Sequence, residues 1–361
     1  MRNSSIHGII PPVCDRGCKL KMIDLSQNQF EGPLPRFLSN CTMLEFINLG
    51  DNRLNDVFPS WYGTLPELRV LVLRSNRLYG VIKKLGSNYE FPNLRIADLS
   101  DNSFTGILPS GYFKIWNSMK GINATNSSYI MESSNIHSKQ VHWNFGFNYS
   151  VTITNKGTIM DYKKIRENFG LIDLSRNKFE GGIPECIGNL SGIHALNLSH
   201  NNLSGCIPSS LGNIRELESL DLSQNKLSGE IPQQLAQLTF LSVFNVSHNF
   251  LGGPIPTGHQ FDTFEINSYE GNLELCGDPL PNKCNNSDTS SHPPNSPNPE
   301  EDQDSRSLFE LDWKFVVIGY CSGAVVGMII GHFVIKKNPF WFFMTFGLRQ
   351  HNGRRRRRRR T

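Results

Sequence analysis

The sequence lacks the motifs by which enzymes hold their chemistry. It has no glycine-rich phosphate loop, no nucleophile elbow and no set of His, Cys, Asp or Glu at metal-ligand spacing. His200 and His248 share a register but lie two repeat units apart, too far to ligate one ion. A non-catalytic protein without metal or cofactor is therefore expected. No charged-then-apolar leader opens the chain, and no polar cap shields the first of its repeats. The expectation is a C-terminal portion of something longer. Only 24 residues follow Lys337, far too few for a kinase. Cysteine is sparse, at eight in 361 residues, and Cys41, Cys186 and Cys206 have no evident partner.

What is present is one phrase repeated. Ile193 to Pro208 reads IHALNLSHNNLSGCIP, Leu217 to Pro232 reads LESLDLSQNKLSGEIP, and Leu241 to Pro256 reads LSVFNVSHNFLGGPIP. Asn201, Asn225 and Asn249 stand 24 residues apart. Self-similarity at that period with L-x-x-L-x-L-x-x-N spacing predicts a leucine-rich-repeat solenoid, a parallel sheet on the concave side and an irregular or 3-10 convex side. Alternation points Leu220 and Leu222 inward and Ser219, Asp221 and Ser223 outward. The Asn is placed to satisfy backbone groups of an inward-turned chain, Gly permits the turn, and the residue before Pro is held extended.

Further units follow from Asn28, Asn52, Asn76 and Asn102, and Ser4 occupies the Asn position of the first. From Asn102 to Asn177 is 75 residues, one period plus an insertion of about 51 within Ser110 to Asn168. This predicts repeats over 1–109, an island over 110–168, four repeats over 169–256 and a cap over 257–284 in which Cys276 and Cys284 pair. Cys14 and Cys18 are a second possible pair. Within the island, Val151 and Ile153 alternate as in a strand. Tyr112, Trp116, Trp143 and Tyr149 give it the aromatic content that binding hot spots use, unless they pin it to the solenoid. On the repeats, the outward positions Asp173, Ser175, Arg176, Asn197, Ser199, His200, Asp221, Ser223 and Gln224 are small and polar, suited to a hydrogen-bonding surface unless they are merely solvated.

Residues 285–312 are Asn-, Ser- and Pro-rich and then acidic, a solvated stalk. Phe315 to Ile335 carries no formal charge over 21 residues, enough to span a bilayer as a helix, and 313–335 is read as that span with its flank. Ten of the 36 basic residues fall in the tail, 336–361, leaving 26 against 32 acidic ones before it. Opposite charge on the two sides of an apolar span points to a membrane rather than to nucleic acid, with the repeats outside and the tail in the cytosol. Gly319, Gly323, Gly327 and Gly331 recur every fourth residue, a stripe that lets a second helix approach. N-x-S/T sequons at Asn3, Asn40, Asn123, Asn126, Asn148, Asn189, Asn197, Asn202, Asn245 and Asn285 fit an outward-facing, glycosylated ectodomain.

The L-x-G-x-I-P repeat, the island between Tyr112-Phe-Lys-Ile-Trp116 and Val151-Thr-Ile-Thr-Asn-Lys-Gly157, the Gly271-Asn-Leu-Glu-Leu-Cys-Gly277 cap and the Gly-striped span resemble the C-terminal portion of plant receptor-like proteins of the Cf and Verticillium-resistance type. That resemblance implies a kinase-less receptor at the plasma membrane, single-pass and type I, that perceives an extracellular peptide or protein of pathogen or damage origin. It implies signalling through an adaptor receptor-like kinase bound at the transmembrane helix and a somatic-embryogenesis-type coreceptor kinase. A developmental peptide receptor of the same architecture and a non-signalling fragment are the alternatives. A wall-associated enzyme inhibitor is disfavoured by the span.

Overall fold

The computed structural model describes residues 2–284 apart from 13–17, 85, 87–89, 122–128 and 138–141. Cys14, Cys321, the stalk, the Gly stripe, the basic tail and the sequons Asn123, Asn126 and Asn285 lie outside the described residues. No helix among the described residues is long and apolar enough to cross a membrane, and Phe315 to Ile335 is not one of those residues.

Each of the eight repeats from Asn28 to Asn249 contributes one three-residue strand to a parallel sheet, in the order Met22–Asp24, Phe46–Asn48, Val70–Val72, Ile96–Asp98, Leu171–Asp173, Ala195–Asn197, Ser219–Asp221 and Val243–Asn245. The strands follow chain order, so the sheet is a solenoid face. Ile96–Asp98 pairs directly with Leu171–Asp173, and the insertion leaves the ladder without interrupting it. A second, outer ladder runs through the L-x-G segments, from Tyr79–Val81 to Glu274–Cys276. Between the ladders the inward Leu and Ile residues form one continuous core, including Leu198, Leu220 and Leu222.

The repeat asparagine closes each turn. Asn225 Oδ1 accepts from the Leu203 N–H at 3.0 Å, and its amide donates to the carbonyls of Leu198, Leu222 and Ser223 at 3.0, 3.1 and 3.2 Å. The side chain thus ties its own unit to the one before. Asn28 does the same for Ser4 and Ile6, whose amides it accepts, so Ser4 does stand in the Asn register. Asn272, within the cap, repeats the pattern with Leu251, Val246 and Tyr269. The cap therefore begins as a ninth asparagine turn, and Cys276–Cys284 is bridged beyond it.

Pro208 is extended, at φ −71° and ψ 134°, and starts the 3-10 turn Ser209–Asn213 on the convex side. Gly212 is required there, because a Cβ would sit 2.7 Å from the Gln234 carbonyl of the next unit. Pro109, at φ −76° and ψ 66°, likewise precedes a convex turn, Ser110–Phe113, and that helix stacks on the turn Glu185–Asn189. The segment predicted to open the island is thus the convex side of a repeat, which runs on through the turn Asn117–Met119. The Leu108-Pro109 pair is the reason: it directs the chain into another convex turn before the insertion leaves the solenoid.

Candidate functional site

The island returns to the solenoid as a hairpin. Val151–Asn155 pairs antiparallel with Thr158–Tyr162, and the two-residue loop Lys156-Gly157 has φ of 52° and 70°, the left-handed pair that a tight hairpin needs. Along the first strand Val151, Ile153 and Asn155 are buried while Thr152 and Thr154 are half-buried. The inward side packs with Tyr149, Ile130 and Ile165 against Phe46, Val70, Val72, Ile96, Leu171 and Ala195 of the concave sheet. The signal was in the sequence: outward strand positions that are polar at Ser219 and Asp221 are apolar at Phe46, Val70, Val72 and Ile96. An apolar stripe on an outward face predicts a cover, and the island supplies it.

Ion pairs fasten the edges of this cover. Arg74 donates to the Thr152 carbonyl at 2.7 Å and pairs with Asp51 at 2.9 Å. Arg69 meets Glu167 at 3.4 Å, Arg2 meets Asp161 at 4.0 Å, and Lys156 meets Glu218 at 2.9 Å. The last three pairs each join an island residue to a repeat, and Arg74 does so through Thr152 while Asp51 holds it from within the repeats. Two clefts flank the hairpin. One, of about 430 Å³, is polar and is bordered by Asp51, Arg74, Thr154, Arg176, His200 and Asp221. The other, of about 530 Å³, is bordered by Tyr129, Lys163, Lys164, Arg166, Phe169 and His194.

These positions sort the expected surface. Arg176, His200 and Gln224 are exposed and share a left-handed φ of 52° to 56°, at the turn just before each asparagine. Burial and the nearby Arg176 guanidinium lower the His200 pKa. Asn197 and Asp221 are half-buried. Ser175, Ser199 and Ser223 are buried instead of outward, because each tucks back onto the side chain two residues earlier; Ser223 Oγ donates to Asp221 Oδ1 at 2.6 Å. Asp173 is also buried, beneath the island.

The island aromatics are corrected more sharply. Tyr112, Trp116 and Tyr149 are each 1 % exposed. Tyr112 and Trp116 stack at 5.7 Å, Tyr112 also packs on Phe58 and Phe91, and its hydroxyl donates to Glu90 at 2.8 Å. Tyr149 stacks on Phe46 at 5.5 Å. Rings with this much apolar area are drawn into the core when a turn offers them one, so they fasten the chain and are not open to a ligand. Trp143 lies in the strand His142–Asn148 opposite Ile136; its side chain is outside the described set. Lys163, Lys164 and Arg166, which line the second cleft around the buried Ile165, are not among the expected candidates although their charge density is visible in the sequence.

The Leucine Rich Repeat family matches residues 19–41, 93–114, 171–190, 192–214 and 216–238. Receptor-like protein 9DC3 of Solanum pimpinellifolium is 54 % identical over 326 residues, 90 % of this chain and 36 % of its own length. Receptor-like protein Cf-9 of the same species is 53 % identical over 326 residues, with the same coverage of 90 % and 36 %. The chain thus spans little more than a third of the length of the curated relatives it matches. Among solved structures, a plant ice-binding protein superposes with a TM-score of 0.55 at 27 % identity, covering 80 % of this chain and 75 % of its own.

Proposed function

For a leucine-rich-repeat chain that falls with the plant receptor-like proteins of the Cf-9 type over nine tenths of its length, we propose a kinase-less cell-surface receptor that perceives an extracellular ligand of pathogen or damage origin. One observation carries it above all. An island fastened across an otherwise regular concave sheet leaves two clefts with charged rims, of about 430 and 530 Å³. Ligand pockets run to about 300–1,000 Å³. A solenoid that only stacks has no need of either.

In this reading the repeats lie outside the plasma membrane, Phe315 to Ile335 crosses it once, and Lys336, Lys337 and the arginine run face the cytosol. In the same reading the signal passes to partners. An adaptor receptor-like kinase packs its span on Gly319, Gly323, Gly327 and Gly331. A somatic-embryogenesis-type coreceptor kinase docks beside the exposed turn residues Arg176, His200 and Gln224. A developmental peptide receptor would use the same parts with a different ligand.

The test is complex formation by the full-length chain on plant cells challenged with extracts of infected or wounded tissue. The expected result is co-precipitation of a receptor kinase that rises with an active extract and is lost in the Gly323→Leu/Gly327→Leu variant. Kinase association indifferent to both extract and substitution overturns the proposal.

A further inference from the structure

The flank of the island that faces the second cleft carries more positive charge than its docking uses. Of the carboxylates nearby, Asp161 pairs with Arg2 at 4.0 Å and Glu167 with Arg69 at 3.4 Å, Glu218 on the cleft rim pairs with Lys156 at 2.9 Å, and Glu216 acts on His194 from the neighbouring repeat. Lys163, Lys164 and Arg166 are exposed and none is in an ion pair among the described residues. Lys164 Nζ instead lies 5.5 Å from the Tyr129 ring. Uncompensated cations converging on a concave site raise the local concentration of anions.

The floor between them is built of rings. Tyr162 packs on Phe169 at 5.4 Å, and Phe169 on His194 at 5.3 Å. His194 Nδ1 accepts from the Gly170 N–H at 3.4 Å, which places the ring proton on Nε2. Burial lowers its pKa against the pull of Glu218 and Glu216, which favours the neutral ring.

The wall is an open strand edge. Thr158–Tyr162 pairs with Val151–Asn155 alone, so among the described residues its other edge has no strand against it, while Met160 and Tyr162 line the cleft. An unpaired edge is a template for an added strand. Main-chain hydrogen bonds along such an edge suit an extended peptide, and they do not suit a sugar or a lipid.

We propose that this cleft binds an acidic peptide segment, added as a third strand beside Thr158–Tyr162, with its carboxylates on Lys163, Lys164 and Arg166 and an apolar side chain on the Tyr162–Phe169–His194 floor. It rests on the receptor reading for the source of the ligand and adds its chemical class. The polar cleft on the other side of the hairpin, with acidic residues on its rim, is left for other contacts.

The probe is acetyl-(Asp-Tyr)3-amide, followed by fluorescence anisotropy against the full-length chain in detergent micelles. The expected result is saturable binding that weakens at least tenfold in Lys163→Glu/Lys164→Glu and falls with rising salt. Lys163→Gln/Lys164→Gln should give an intermediate loss, with thermal melts of both variants unchanged because the two side chains are exposed. No binding, equal binding of the (Asn-Tyr)3 peptide, equal binding by the Glu variant, or stronger binding of a galacturonate decamer each overturns the proposal. None of these touches kinase association through the span, so the receptor reading stands or falls on its own test.

Discussion

Asp98 and Asp173 face each other in register on neighbouring parallel strands, with the whole insertion between them in sequence. Both are buried, at 0 % and 1 % exposure. Asp98 Oδ1 accepts from Ser100 Oγ at 2.6 Å, while Oδ2 has no hydrogen-bond partner among the described residues. Asp173 accepts from the Ser175 N–H at 2.9 Å and from Asn197 at 3.3 Å. Two carboxylates on adjacent strands, cut off from water by the island, cannot both ionise cheaply. Burial pushes the Asp98 carboxyl up against the pull of Ser100 and Arg74. Burial and then the Asp98 charge push Asp173 up to about 8.

A pH dependence follows with a definite sign. An acid whose folded pKa exceeds its unfolded value takes up a proton on folding, so its contribution is fully present below the unfolded pKa of about 4 and is lost as pH rises through the folded one. Thermal stability of the chain should therefore decline from pH 4 towards pH 8 and level off beyond. Asp173→Asn should flatten that slope and make the protein about 1–3 kcal/mol more stable than the parent at pH 8. The side chain already stands in this register one unit on, at Asn197. Melting curves across that range decide it, and an unchanged slope in the variant would remove the coupled pair as its source.

Asn225 offers a second test, of the closure of the ladder. Asn225→Ala strands the Leu203 N–H and the carbonyls it serves in a region closed to water. A buried polar group left unsatisfied costs about 1–3 kcal/mol. A loss of about 3 kcal/mol is expected in chemical denaturation, against less than about 0.5 kcal/mol for the exposed neighbour Gln224→Ala. Equal losses would mean that the ladder is held by packing alone.

The solenoid was legible because each unit repeats the same local solution. Asn201, Asn225 and Asn249 advertise their hydrogen bonds by spacing alone, and the Leu positions advertise the core. The island was legible only as an interruption. Its Val151 and Ile153 alternation gave the strand, but the concave-sheet residues that the strand covers, from Phe46 to Ala195, are scattered along the sequence and share no period with it. The aromatics misled for a physical reason: Tyr112 and Trp116 look the same in a core and on a binding surface, and only the Leu108-Pro109 turn before them says which. Asp173 misled in the same way, since an outward strand position is exposed only where nothing covers the sheet.

Glycosylation should follow burial. Asn40 and Asn189 end convex turns and are exposed. Asn197 uses its amide on Asp173 and its Oδ1 on the N–H and hydroxyl of Ser199, at 3.3, 3.1 and 2.8 Å. Asn245 likewise accepts from the Ser247 N–H at 2.9 Å, and Ser247 is buried. Glycopeptide mapping of the folded protein should find glycans at Asn40 and Asn189 and bare side chains at Asn197 and Asn245. A glycan at Asn197 would show that the concave ladder is not closed as described.

The docking of the island can be separated from the folding of the repeats at Ile153. Its side chain is fully buried against the concave sheet, yet no repeat depends on it for its own core. Ile153→Asp places a carboxylate in that apolar contact, and an unpaired buried charge is avoided by opening rather than tolerated. The hairpin should lift while the asparagine ladder stays closed, so trypsin should cut after Lys156 at least tenfold faster with the repeats still resistant. Leu220→Asp, by contrast, lies in the continuous core between the ladders and should unfold the repeats themselves. If Ile153→Asp instead exposes the repeats to protease as fully as Leu220→Asp does, the island is part of the solenoid's stability, and a cleft that opens independently of the repeats is lost with that result.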